Sequence, residues 1–295
     1  MSRKKAGRKR KHGSRRVLVF LLICLLVLFA VVIRHKAGAG EPRVLQHIGQ
    51  VEVYNGGKNV WITPEKNVPV NDIKPDDFAR DENGALRYVG EDYKVSYGVD
   101  VSSHQTMIDW QQVKDSGIDF AIIRAGGRYY GGDGELYADE LFAENLKGAT
   151  EAGLKVGVYF FSQAISVEEA REEADMVLSM LDGAKIKLPV FFDWERVADA
   201  DARANYVGNE TLTQCVLAFC ERIQSAGYEA GVYFNLDTSY YGYTMSYLTD
   251  YVFWCASPGD YPYCYYAHSL WQYSFEGTVP GIDRACDLDM MFIKK

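Results

Sequence analysis

The residues best suited to chemistry are carboxylates placed where a strand should end. Residues 188–195 read LPVFFDWE, an apolar run that closes on Asp193 and Glu195 around Trp194. Buried acids cost free energy unless they are paired, hydrogen-bonded or protonated. Side chains alternate along a strand, so Asp193 and Glu195 share one face, their bases roughly 6–7 Å apart, and Trp194 takes the other. Like charges this close push their pKa values apart, and an acid that keeps its proton beside an ionised neighbour is what glycosidic bond cleavage requires. Two other readings stand beside it. The acids could bind a hard cation such as Ca²⁺ or Mg²⁺, or serve as structural ion-pair partners.

The elements that must position these acids alternate regularly from Ser96. YGVDVSS precedes the helical DWQQVKDSG, DFAIIRAGG precedes DELFAENLKGATEAG, and KVGVYFFS precedes VEEAREEADMVLSMLDG. LPVFFDWE then precedes TLTQCVLAFCERIQSAG, and EAGVYFN follows. Such alternation predicts a parallel sheet with right-handed crossovers. YVFWCAS, LWQYSF and ACDLDMMF are strand-like with little helix between them. The pattern predicts a modified β/α barrel of about five β/α units plus three additional strands. An open doubly wound sheet is the alternative, but no GxGxxG opens a helix after the first strand. In a barrel, reacting groups come from the C-terminal ends of different strands. That rule brings together Asp100 of the first strand, Asp193 and Glu195 of the fourth, and Asp287 of the last, with Tyr159 and Tyr233 from the third and fifth.

Composition limits the partners. The formal charge is -8, yet residues 1–16 hold nine of the 32 Lys and Arg and no acid. The remainder is strongly acidic, which argues against nucleic-acid binding. Residues 17–33 are seventeen uninterrupted apolar residues, enough for a short membrane helix. The expected order is a basic cytoplasmic tail at 1–16, a transmembrane anchor at 17–33, an extracytoplasmic stalk with short strands at 34–95, and the barrel at 96–295. A signal peptide cleaved near Ala37–Ala39 is the rival reading. Five cysteines follow the apolar run. Cys255 and Cys264, flanking ASPGDYPY, could pair, while the missing CxxC and the scattered histidines argue against a structural zinc site or an HExxH enzyme.

The ordered set YGVDVSSHQTMIDWQQVKDSGIDFAIIRAGG, AGLKVGVYFFSQAIS, LPVFFDWE, GVYFN, WQYSFEGTVPGID and CDLDMMF resembles glycoside hydrolase family 25, the lysozymes that act as N-acetylmuramidases. The resemblance runs from about Tyr97 to Ile293. It implies a flattened barrel of five β/α units and three strands, and hydrolysis of the β-1,4 bond between N-acetylmuramic acid and N-acetylglucosamine in bacterial peptidoglycan. By the same resemblance Glu195 is the general acid and then base, and Asp193 orients the substrate's 2-acetamido group. Asp100 and Asp287 complete the acidic site, and Tyr159, Tyr233, Trp254, Trp271 and His104 are candidate sugar contacts. Two departures stand out: Asp289 falls where the family often has Asn, and Thr106 where Gly often follows HQ. No metal or organic cofactor is implied, and a monomer is expected. A non-catalytic wall-binding module on the same fold is the alternative, and the intact pair Asp193 and Glu195 argues against it.

Overall fold

The computed structural model describes residues 47–295. The predicted cytoplasmic tail and membrane anchor lie outside the described residues, and among those described no helix is long and apolar enough to cross a membrane. Residues 51–295 form one compact unit.

That unit opens with two hairpins. β1 (Val51–Asn55) and β2 (Lys58–Ile62) pair antiparallel. Their two-residue turn is Gly56–Gly57, both at positive φ, the backbone that tight hairpins need and side chains resist. β3 (Phe78–Arg80) and β4 (Leu86–Tyr88) form the second hairpin. The segment before the barrel is tied to it. Glu65 accepts from the backbone amides of Met245 and Ser246, and Val70 forms a bridge with Tyr266. Where a stalk ending at residue 95 was expected, the first barrel strand already begins at Tyr93.

The barrel strands are β5 (Tyr93–Val101), β6 (Phe120–Arg128), β8 (Lys155–Ser162), β9 (Val190–Trp194), β10 (Ala230–Asn235), β11 (Val252–Ala256), β12 (Leu270–Gly277) and β13 (Cys286–Lys294), with the short β7 (Leu136–Ala138) paired to the end of β6. The order β5-β13-β12-β11-β10-β9-β8-β6 closes through the β5–β6 pairing. Neighbours from β5 around to β12 run parallel, and β13 is antiparallel to both β12 and β5. Helices α1 (Trp110–Asp115), α2 (Phe142–Glu151), α3 (Val167–Leu181) and α4 (Asn209–Ser225) fill the crossovers. Local signals set their ends. Ser166 caps α3 by accepting from the Glu169 amide, and Asp182 in the left-handed region closes it, as helix termini with unpaired backbone groups demand. After β10 the chain makes a π-helical turn at Thr238–Gly242 and a 3-10 turn at Met245–Tyr247, with no α-helix. The eight barrel strands match the expected five plus three, but only four of the five units carry an α-helix.

β9 shows how one strand serves two cores. All five of its residues are buried, as expected of a parallel strand covered on both faces. Phe191 points into the barrel with Phe120, Ile122, Tyr233 and Trp254, whereas Phe192 and Trp194 pack outward against α4 and its neighbours. Gly98 on β5 leaves the space that the Phe120 ring fills: a Cβ there would come within 2.2 Å of it.

Candidate active site

Seven of the eight barrel strands deliver an inward side chain to the same mouth. Asp100 comes from the C-terminal end of β5, Tyr159 from β8, Asp193 from β9 with Glu195 just beyond it, Tyr233 from β10, Trp254 from β11 and Gln272 from β12; together with Asp287 and Phe275 they line a cavity of about 250 Å³. Asp287 sits near the start of its strand, not the end. β13 runs antiparallel, so its beginning lies at the mouth, and register places Asp287 opposite Asp100.

The acids are wired together. The Gln272 amide donates to Asp100 Oδ2 at 2.7 Å and to Asp287 Oδ2 at 3.1 Å, and its carbonyl accepts from the Tyr233 hydroxyl at 2.9 Å. Two residues further along β13, Asp289 is fully buried and takes the Trp254 indole N–H at 2.8 Å. Its other oxygen has no donor among the hydrogen bonds formed. A proton shared with Asp100, its neighbour, satisfies both groups.

Burial is the main cause of every carboxyl shift here. It lifts Asp100 well above the usual carboxylate range, aided by Asp289 and then Asp287, and opposed by Gln272. Burial raises Asp287 to about 6 and Asp289 to about 7, each against a hydrogen bond with Asp100. Glu195 reaches about 7 through burial and then the charge of Asp287. Asp193 is also raised strongly, by burial and then by Glu195, while Arg124 pulls it back. Two acids at one strand end share a proton more readily than they both ionise. Arg124 opposes the rise at Asp193, and no cation does so at Glu195. Arg124 is itself fixed by Asp139, whose carboxylate lies 2.8 Å from its guanidinium. Asp193 Oδ1 is buried and has no hydrogen-bond donor in the protein.

A donor amide between Asp100 and Asp287 argues against a hard cation in this cluster, because it occupies lone pairs that such an ion would need. Seven of the nine residues expected at the site line the cavity. Trp271 does not: Gln272 takes the inward position, so its neighbour is turned outward, fully buried beside Phe78 and Tyr273, with its indole N–H on the Ser257 carbonyl. His104 is exposed on the turn Ser103–Gln105 and meets Arg284 only through its backbone carbonyl. Gln272, Phe275 and Arg124 were not singled out from sequence, and Asp289 was noted only as a departure from the family's Asn. Gln272 was accessible to the same alternation rule, counted from Asp287 across a neighbouring strand.

A second cavity of about 360 Å³ shares Glu195, Tyr233 and Phe275 with the first. Its far wall is Tyr54, Asn55 and Gly56 from the β1–β2 hairpin, beside Tyr263. Tyr54 and Tyr263 lie with ring centroids 4.5 Å apart, and Tyr261 continues the row at 4.2 Å.

Carboxylates and aromatic rings at the C-terminal mouth of a β/α barrel define the class of a glycan-cleaving hydrolase. The sequence profile of the glycosyl hydrolases family 25 matches residues 99–282, and the chain belongs to that family. It is 26% identical over 194 residues to an autolytic lysozyme of Clostridium acetobutylicum, a match covering 65% of this chain and 54% of that protein. The chain thus spans about half the length of this curated relative. Two solved structures share the fold. The bacterial lysozyme of Streptomyces coelicolor has a TM-score of 0.55 at 24% identity, over 66% of this chain and 90% of that one. A family 25 glycosyl hydrolase from Bacillus anthracis has a TM-score of 0.56 at 22% identity, over 69% and 91%.

Proposed function

We propose that the protein hydrolyses bacterial peptidoglycan at the β-1,4 bond between N-acetylmuramic acid and N-acetylglucosamine. The observation that carries this reading is the unequal pair at the end of β9. Glu195 holds a proton near neutral pH, and Asp193 offers a buried carboxylate oxygen with no partner in the protein.

In the first step the Glu195 proton moves to the glycosidic oxygen as the bond to the anomeric carbon breaks. The carbonyl oxygen of the substrate's own 2-acetamido group forms the new bond to that carbon. Asp193 Oδ1 accepts from the acetamido N–H, which orients the amide and stabilises the positive charge it gains. In the second step Glu195, now a carboxylate, takes a proton from water as the oxygen of that water displaces the amide. Two inversions give net retention. Asp287, held by Gln272, keeps the cleft negative around a positive transition state, an electrostatic contribution that grows in a dry site.

The apolar run at residues 17–33, preceded by nine basic residues, supports attachment to the cytoplasmic membrane with the barrel outside. Mass spectrometry of digested peptidoglycan tests the bond: reducing N-acetylmuramic acid ends are expected, and reducing N-acetylglucosamine ends overturn the proposal. Glu195→Gln should lower turnover at least about a hundredfold, the order that general acid catalysis supplies. Equal inactivity of both forms would favour a glycan-binding module. Proton NMR of the first-formed anomer decides retention.

A further inference from the structure

Away from the acids, the connection from β11 to β12 stands apart. Residues 257–269 carry no helix, only an isolated bridge from Tyr266 to Val70. A long irregular connection inside a compact barrel needs something to hold it. This one also supplies Ser257, Pro258 and Tyr263 to the cleft wall.

Three ligand-type side chains meet beneath it. Cys255 at the end of β11, Cys264 in the loop and His268 just before β12 are all buried, and one ligand atom from each lies within 4.8 Å of the others. Both thiols are free. The His268 ring is turned so that Nδ1 is 3.0 Å from the Tyr266 carbonyl, while Nε2 is buried without a partner. A proton on Nδ1 satisfies that carbonyl and leaves a bare lone pair on Nε2. This is how a metal-ligating histidine is normally oriented, by a carbonyl on its other nitrogen.

We propose that Cys255 Sγ, Cys264 Sγ and His268 Nε2 bind a Zn²⁺ ion that staples the β11–β12 loop. Zinc with sulfur at about 2.3 Å and nitrogen at about 2.0 Å places ligand atoms roughly 3.5–3.8 Å apart in a tetrahedron, inside the separation already present. Two thiolates, their protons released on binding, neutralise the divalent charge, and a neutral complex suits a dry site. Cu⁺ on the same ligands would leave a buried negative charge. Hard cations prefer oxygen. The fourth position falls to an oxygen, for which the buried Ser257 hydroxyl, two residues from Cys255, is at hand. The spacing C-x₈-C-x₃-H was passed over in sequence because it lacks a CxxC. The fold supplies the proximity.

The test is elemental analysis of the full chain, purified without a metal-affinity tag from cells grown with zinc and copper. About one zinc per chain is expected, falling below about a tenth in Cys264→Ser and unchanged in Cys215→Ala. Because Cys264→Ser could fail to fold, Co²⁺ is also exchanged into the wild-type protein, where a sulfur-to-cobalt charge-transfer band in the near ultraviolet supports the site. Removing the metal with a strong chelator should lower the melting temperature by about 5 °C or more. Absent zinc, copper in its place, or a mass two daltons low under non-reducing conditions, which marks a Cys255–Cys264 disulfide, overturns the proposal.

Discussion

Asp287 stands opposite Asp100 across the antiparallel seam between β13 and β5, and the single amide of Gln272 donates to both. The seam thereby fixes both acids at the mouth through one neutral donor. The charge of Asp287 reaches Glu195 and helps to raise it to about 7.

A narrow pH optimum follows. Glu195 must be protonated to act as an acid, so kcat/KM falls as pH rises through about 7. Asp287 must be ionised to stabilise positive charge, so kcat/KM falls as pH drops through about 6. A bell with its maximum between these values is expected on a soluble muroglycan, its limbs being macroscopic properties of coupled groups. Asp287→Asn should lower the alkaline limb, since Glu195 loses the charge that raised it, while Asp193, which must also be ionised, keeps a limb on the acid side. An alkaline limb unmoved by that substitution would remove Asp287 from the account.

Trp254 and Trp271 are adjacent in the sheet neighbourhood but face opposite ways, and their variants should separate cleanly. Trp254→Phe leaves Asp289 without its indole donor beneath the cleft, and kcat/KM should fall about tenfold or more. Trp271→Phe opens space under the β3–β4 hairpin and frees the Ser257 carbonyl, costing about 1–3 kcal/mol of stability. Its kcat/KM should change by less than about threefold. Urea unfolding and steady-state kinetics on the same preparations make the comparison.

How much of this was readable beforehand depends on which rule applied. Alternation along β9 gave the directions of Asp193, Trp194 and Glu195, and the strand-end rule brought Asp100, Asp193 and Glu195 to one mouth; Asp287 joins them for a different reason, because β13 runs antiparallel and starts there. Trp271 was misplaced because an aromatic residue drew more attention than Gln272 beside it, and alternation allows only one of the two inside. His104 follows Asp100 closely in sequence, but the turn Ser103–Gln105 carries it away from the cleft. The contacts that no local pattern could reveal are the long-range ones: Trp254 with Asp289, Glu65 with Ser246, and the hairpin of Tyr54 against Tyr263.

Thr106 follows the same turn at φ 61 and ψ -152, a region that β-branched residues occupy only under strain of about 1–3 kcal/mol. A glycine, which the resemblance leads one to expect after HQ, would hold that backbone without strain. Thr106→Gly should raise stability by about 1 kcal/mol, the relief of strain being partly offset by the extra freedom glycine gains when unfolded. The Thr106 hydroxyl donates to the Gln105 carbonyl, so Thr106→Ala separates the two effects: it loses that bond, keeps the strain, and should not stabilise. Chemical unfolding of the three forms measures both.

The β1–β2 hairpin precedes the residues matched to the family, yet Tyr54, Asn55 and Gly56 wall the cavity that shares Glu195 with the acid cluster. Sugar rings stack on aromatic faces, and the row Tyr54, Tyr263, Tyr261 offers such a surface away from the reacting bond. A contact made equally in the ground and transition states changes KM and leaves kcat alone. Loss of one ring from the row should weaken binding by about 0.5–1.5 kcal/mol. Tyr54→Ala is therefore expected to raise KM roughly two- to tenfold on long glycan strands with kcat unchanged. Disaccharide-length substrates, too short to reach the hairpin, should be turned over as by the wild type. An equal loss on short and long substrates would mean that the hairpin shapes the catalytic mouth and does not extend it.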